Sequence, residues 1–167
     1  SKFMKYLKVS FQTILLTLIL IMAINLSVSS QAFNHPGVLH TNAELDFVKA
    51  KILANQQPWK NAYTQLVNSN YAKLTYAQNP YDTVKCGSFN NPNIGCNEMV
   101  EDGMAAYSLA LMWYFTDNAA YATKSIQIIN AWSNKYKTNP LAYSNSRLVV
   151  SWATPWFVNA AEILRYN

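Results

Sequence analysis

The side chains best suited to chemistry lie late in the chain, and they are of the kinds that hold a charged sugar. One short segment contains Tyr143, Asn145, Arg147 and Trp152. Amide and guanidinium groups donate hydrogen bonds to a carboxylate, and Arg147 is either a bidentate partner for one or a solvated loop arginine. Aromatic rings offer a flat apolar face, so Tyr143 is a candidate for stacking or proton transfer. The segment predicts a ligand class more clearly than a reaction.

Asn130 and Trp132 are further candidates for substrate binding. They lie on a predicted helix whose remaining positions are largely apolar, so an amide there could face a cleft. An aromatic residue at helical spacing has the alternative role of a core residue. Both residues are therefore predicted to contact sugar, with core packing as the alternative for Trp132.

The acidic and imidazole groups have mainly structural interpretations. Glu98, Glu101 and Asp102 fall in the first turns of a predicted helix, where negative charge is favoured by the helix dipole. The alternative is a pair of catalytic carboxylates, as in a glycoside hydrolase. His35 and His40 precede a predicted helix cap, and we expect them to fix the chain there by hydrogen bonds.

The first 32 residues have the layout of a secretory signal peptide. Three lysines precede an apolar run over residues 9 to 26, and small residues flank Gln31 before a predicted cleavage site after Ala32. A membrane anchor is the alternative. We expect a secreted or periplasmic product over residues 33–167, without stable membrane association after cleavage.

Export explains the cysteines and limits the partners. Cys86 and Cys96 are the two cysteines of the chain, and in an oxidising compartment they predict one disulfide. With two histidines, the chain offers no ligand cluster for a metal, and no cofactor is expected. The formal charge falls from +5 to +2 without the leader, because its three lysines are unmatched by any acid. Since the remaining basic residues are scattered, nucleic acid is not an expected partner.

Hydrophobic periodicity predicts an all-α chain of about five helices. Thr41 and Glu44 fit a capping box at the first of them, and Pro58 fits a first helical position in the second. A long loop over residues 68–96 precedes a helix of about 20 residues, and Asp117-Asn118 joins that helix to the next as an antiparallel hairpin. The last helix is predicted from Ser151 to Tyr166, after a loop over residues 137–147. An odd helix suggests that the chain stops inside a larger domain.

Several short motifs resemble, in order and spacing, the amino-terminal half of alginate-lyase-domain proteins. They are His35-Pro36-Gly37-Val38-Leu39-His40-Thr41, Pro58-Trp59-Lys60, Cys86-Gly87 to Gly95-Cys96, Ala105-Ala106-Tyr107, Leu111-Met112-Trp113-Tyr114, Asn130-Ala131-Trp132-Ser133, Ser151-Trp152 and Ala160-Ala161-Glu162-Ile163-Leu164-Arg165-Tyr166. The resemblance implies that residues 33–167 are part of an incomplete (α/α) toroid of helical hairpins.

The same resemblance implies a polysaccharide lyase that performs β-elimination on a uronate polymer such as alginate. It supports Asn145 and Trp152 as substrate-binding residues, while Val149 departs from the glutamine of many relatives. The family's catalytic Asn-His pair and its later Arg and Tyr are expected beyond Asn167, so no catalytic residue is assigned and the chain alone is expected to be weakly active or inactive. The alternative is a noncatalytic, secreted carbohydrate-binding or interaction module.

Overall fold

The computed structural model describes residues 35–165, and within that range the chain is all-α, as predicted. Its five helices are α1 (Asn42–Leu53), α2 (Trp59–Asn68), α3 (Cys96–Thr116), α4 (Ala119–Lys135) and α5 (Ser144–Leu164). The predicted signal peptide lies outside the described residues. No helix among those described is long and apolar enough to cross a membrane. Closure into a toroid stays a prediction.

The core lies where α3 packs against both α4 and α5. Its innermost residues are almost all aliphatic, and many are alanines, which let helix backbones approach closely. The fully buried members from these three helices are Ala105, Ala106, Leu109, Ala110, Ala122, Ile128, Ala153 and Ala160. Helix α3 is therefore the central element, and the residues at its amino-terminal end have a rigid support.

Local capping signals in the sequence match the helix ends. The Thr41 hydroxyl accepts from the backbone N–H of Glu44 at 3.3 Å, and the Glu44 carboxylate accepts from that of Thr41 at 2.9 Å, which confirms the capping box. Asp117 ends α3 in the left-handed conformation with φ 56°. The Asn118 side chain then accepts from the backbone N–H of Ala120 at 3.0 Å and begins α4. The predicted helical hairpin is confirmed.

The start of the last helix was predicted wrongly. Helix α5 begins at Ser144, not Ser151, and Pro155 lies in its interior, not near its first turn. An interior proline costs about 3 kcal/mol, so packing against α3 must outweigh that cost. Asn145 and Arg147 consequently lie on a helix and not on a loop.

The predicted long loop contains structure that periodicity did not indicate. Two short 3₁₀ turns cover Asn70–Ala72 and Ser88–Asn90, and strands β1 (Lys85–Cys86) and β2 (Asn93–Ile94) form an antiparallel ladder. This two-stranded ladder is a local addition within the predicted loop and leaves the all-α class unchanged. Runs of two residues are too short to produce a detectable alternation.

Candidate functional site

An open groove of about 530 Å³ lies at the amino-terminal ends of α3 and α5. Pockets of this size are typical of small-ligand sites. The long loop, the first three turns of α3 and the first half of α5 each contribute to its walls. The lining residues are Tyr71, Cys86, Gly87, Asn90, Cys96, Asn97, Val100, Glu101, Met104, Asn145, Leu148, Val149 and Trp152.

One wall is the hairpin formed by β1 and β2, which is covalently fixed to the start of α3. Cys86 and Cys96 form the predicted disulfide, with Cα atoms 5.9 Å apart. Gly95 begins α3 with φ 71°, and a Cβ there would lie 2.8 Å from the Cβ of Tyr81. Glycine is needed at this position because other residues would be strained and too close to Tyr81.

The opposite wall is α5, and two side chains of its first turn hold it against the hairpin. The hydroxyl of Ser146, fully buried, accepts from the backbone N–H of Cys86 at 2.8 Å. The Asn145 amide donates to the backbone carbonyl of Gly87 at 3.3 Å. Both contacts join residues nearly 60 positions apart in sequence, 60 and 58 respectively. They place the start of α5 beside the start of α3.

The groove is therefore the meeting point of two helix amino termini. The residues that precede these helices, Gly95 and Tyr143, provide no side-chain cap. Backbone N–H groups at such ends carry partial positive charge and favour anions. Asn97 and Asn145 place amide groups at the same ends. Among the lining residues the one charged side chain is Glu101, which opposes an anionic ligand.

Residues 46–166 match the family profile of alginate lyase. The chain belongs to the alginate lyase family. The family gives it a polysaccharide lyase-like function, and the implied substrate is a polysaccharide. No curated protein and no solved structure matches the chain.

The predicted site residues of this alginate lyase family member fall in three places. Asn145 and Trp152 line the groove, and Trp152 is 61% exposed. Tyr143 immediately precedes α5 and is partly buried, while Arg147 lies exposed on the first turn of α5, outside the lining. Asn130 lies elsewhere, in a shallow pocket of about 220 Å³ between α4 and α5. The groove thus brings together two of the six predicted residues, with two more beside it.

Trp132, the sixth predicted residue, lies in the core and binds a buried carboxylate. Its indole N–H donates to Asp102 at 2.6 Å. The same carboxylate accepts from the Tyr76 hydroxyl at 2.8 Å and from the backbone N–H of Asn79 at 2.9 Å. This Asp102 cluster, defined by Asp102, Trp132, Tyr76 and Asn79, ties the long loop to α3 and α4. Burial, and then the Asp102 hydrogen bond, raise the pKa of the Tyr76 hydroxyl.

Several residues that line the groove were not predicted from the sequence. Tyr71, Asn90, Asn97 and Glu101 line the groove without having been predicted to bind substrate. The asparagines near the cysteines offered a signal, because polar loops stapled by a disulfide often bind ligands. Tyr71 offered none, since its position depends on how the long loop folds back on α3.

The two histidines contact other elements away from the groove lining. The His35 ring nitrogen Nδ1 lies 2.6 Å from a Glu162 carboxylate oxygen. The His40 ring is stacked parallel to the Tyr107 ring, with centroids 5.9 Å apart, and its Nε2 contacts the Tyr107 hydroxyl. Burial lowers the pKa of His40 and raises the pKa of Tyr107 to about 12, so both are neutral at pH 7. Among residues 35–165 no cluster of side chains could hold a metal ion.

Proposed function

We propose that the groove binds a uronate-containing polymer such as alginate, as the substrate-binding part of a lyase that acts by β-elimination. The observation that carries this proposal is the convergence of two uncapped helix amino termini on one groove. A carboxylate beside these ends gains hydrogen bonds and favourable dipole interactions. Trp152, exposed at the same groove, offers a face for the sugar ring.

β-Elimination needs three things from a protein. It must stabilise the negative charge that builds up at the C5 carboxylate, remove the C5 proton and protonate the leaving oxygen. Backbone N–H groups and the amides of Asn97 and Asn145 suit the first task, because preorganised donors stabilise developing charge. We assign that task to the groove.

Proton transfer has fewer candidates in the groove. Of its lining residues, only Tyr71 and Glu101 carry a titratable side chain, because the two cysteines are bonded to each other. Neither His35 nor His40 is among the lining residues. We therefore propose that proton transfer depends on groups outside the described groove.

Binding and turnover are tested separately. The 167-residue chain is titrated with alginate oligosaccharides and, as a control, with neutral dextran oligosaccharides of the same length by calorimetry. We expect binding of the uronate alone, weakened by salt because the attraction is electrostatic. Equal binding of both ligands, or of neither, would contradict the proposal.

Turnover is followed by the ultraviolet absorbance of the unsaturated uronate product. We expect little product from the 167-residue chain and rapid formation from a protein expressed from any longer reading frame. Robust turnover by the 167-residue chain would show that it holds its own proton-transfer groups. Uronate binding without turnover by either protein would favour the noncatalytic binding module.

We also propose that the protein is exported and that residues 1–32 are removed. The disulfide supports an oxidising compartment, and members of the family are typically secreted. Amino-terminal sequencing of protein recovered from outside the cytoplasm tests the proposal. A sequence starting near Phe33 is expected, whereas a retained leader would instead indicate a membrane anchor.

A further inference from the structure

Phe89 lies at the tip of the hairpin, between β1 and β2 and next to a residue that lines the groove. Its side chain is fully exposed, more than any other large apolar residue of the described chain, including Leu53 at 72%. A single exposed apolar side chain is common on protein surfaces, so the position of Phe89 and its backbone conformation carry the argument. The next residue, Asn90, lines the groove.

The backbone at Phe89 is held in an unfavourable conformation. Phe89 has φ 54° and ψ 35°, and Asn90 has φ 59°, so two successive residues are left-handed. Asparagine tolerates this region well, but a bulky aromatic residue there is a true outlier. Local strain of this kind is found at ligand-binding sites, where the surrounding structure maintains it.

Backbone contacts at the base of the hairpin maintain this conformation of Phe89. The backbone N–H of Gly87 donates to the Pro92 carbonyl at 2.8 Å, and that of Asn91 donates to the Ser88 carbonyl at 3.1 Å. A Cβ on Gly87 would lie 1.9 Å from the Asn91 carbonyl oxygen, so the loop closes only around glycine. These hydrogen bonds and the Cys86–Cys96 disulfide hold the backbone of the loop that contains Phe89.

We infer that Phe89 is a second sugar-stacking residue, which binds the part of a uronate polymer that leaves the groove. This inference rests on the proposed function. A groove of about 530 Å³ holds only a short oligosaccharide, so a longer chain must continue past its rim. Phe89 then contacts only ligands long enough to reach it, and it determines a preference for polymer over short fragments.

The test uses calorimetric titration of the 167-residue chain with alginate oligosaccharides of increasing length. We expect Phe89→Asn to weaken binding of long oligosaccharides by about three- to tenfold, as for the loss of one aromatic contact, and to leave the shortest bound ligand unaffected. Phe89→Trp, which keeps an aromatic ring, should bind long oligosaccharides with about the affinity of the wild type. Leu53→Asn, at the carboxyl end of α1, is the matched control for removing an exposed apolar side chain, and should leave both affinities unchanged.

A stability measurement separates binding from folding. Because asparagine relieves the left-handed strain, Phe89→Asn should keep or raise the urea midpoint while it lowers polymer affinity. Wild-type affinity of Phe89→Asn for every length, or an equal loss for short and long ligands, would overturn the inference alone. Absence of any uronate binding by the wild-type chain would overturn the proposed function and this inference with it.

Discussion

Two neighbouring acids on α3 lie in opposite environments. Glu101 is exposed and lines the groove, whereas Asp102 is 1% exposed and accepts three hydrogen bonds in the Asp102 cluster. Successive residues of a helix point about 100° apart, so one turn of α3 serves both the groove and the core. The buried polar groups are matched to protein partners, while the groove leaves polar groups available to a ligand. Asp102 is therefore expected to affect stability, and Glu101 to affect ligand binding.

The largest effect is expected from removing the buried carboxylate of Asp102. Asp102→Ala should lower the free energy of unfolding by about 3 kcal/mol, because the buried indole N–H of Trp132 and the part-buried donors of Tyr76 and Asn79 lose their acceptor. Urea denaturation measures the change. Glu101→Ala is the matched control, and it should stay within about 0.5 kcal/mol of the wild type. Equal losses of unfolding free energy in Asp102→Ala and Glu101→Ala would contradict these different roles of the two acids.

Removing the disulfide should affect both regions. Cys86→Ser combined with Cys96→Ser opens a loop with a sequence separation of 10. The chain-entropy relation then predicts a loss of about 2.7 kcal/mol of stability. Since the hairpin is one wall of the groove, alginate binding should weaken as well. Destabilisation with unchanged binding would show that the groove does not depend on the hairpin.

Removing the acidic side chain of the groove tests whether the ligand is an anion. Glu101→Gln should strengthen alginate binding about threefold at low salt, because it removes a repulsion worth about 0.7 kcal/mol at about 6 Å in water. The gain should shrink as salt screens the charge. Asp117→Asn makes the same charge change 16 positions along, about 24 Å away, and should leave binding unaltered. An unchanged or weaker affinity for Glu101→Gln would contradict an anionic ligand in the groove.

The smallest effect is a pH dependence at the part-buried contact of Tyr107, on α3, with His40. Burial lowers the pKa of His40 below its ordinary 6.5, an effect that the charge of Glu44 partly opposes. As the pH falls below 6.5, the unfolded chain takes up a proton at His40 before the folded chain does, so stability should fall until the lowered folded-state pKa is reached.

Urea midpoints measured from neutral pH down to below pH 6.5 report this loss of stability. His40→Gln should make the urea midpoint depend less steeply on pH than in the wild type, because the group whose pKa burial lowers is removed. An identical slope for His40→Gln and the wild type would contradict the assignment to His40.

The parts of the fold that could be predicted are those specified by neighbouring residues. Thr41 and Glu44 are three positions apart, and the Asn118 cap acts on Ala120, so both signals are complete within one turn. The start of α5 could not be placed in this way. Its first turn is polar, and it is held by the contact of Ser146 with Cys86, 60 positions away. Periodicity detects only the apolar part of a helix.

In the candidate site, too, the residues close together in sequence could be predicted and those placed by distant contacts could not. Asn145 and Trp152 were predicted as substrate-binding residues, and they lie seven positions apart, on one side of α5. Trp132 was predicted with them, but its indole lies in the core because Asp102, on a different helix, accepts from it. Tyr71 was missed because the fold of the long loop brings it to the groove.

The all-α class, the disulfide, the capped α1 and the α3–α4 hairpin could be predicted from the sequence, because each depends on residue types at short separation. The sequence could not show that two helix amino termini meet at one groove, that Asp102 is buried while Glu101 is not, or that Phe89 lies beside the groove. These features depend on contacts between segments far apart in the chain, and the free energy of such contacts is set by packing rather than by local propensity.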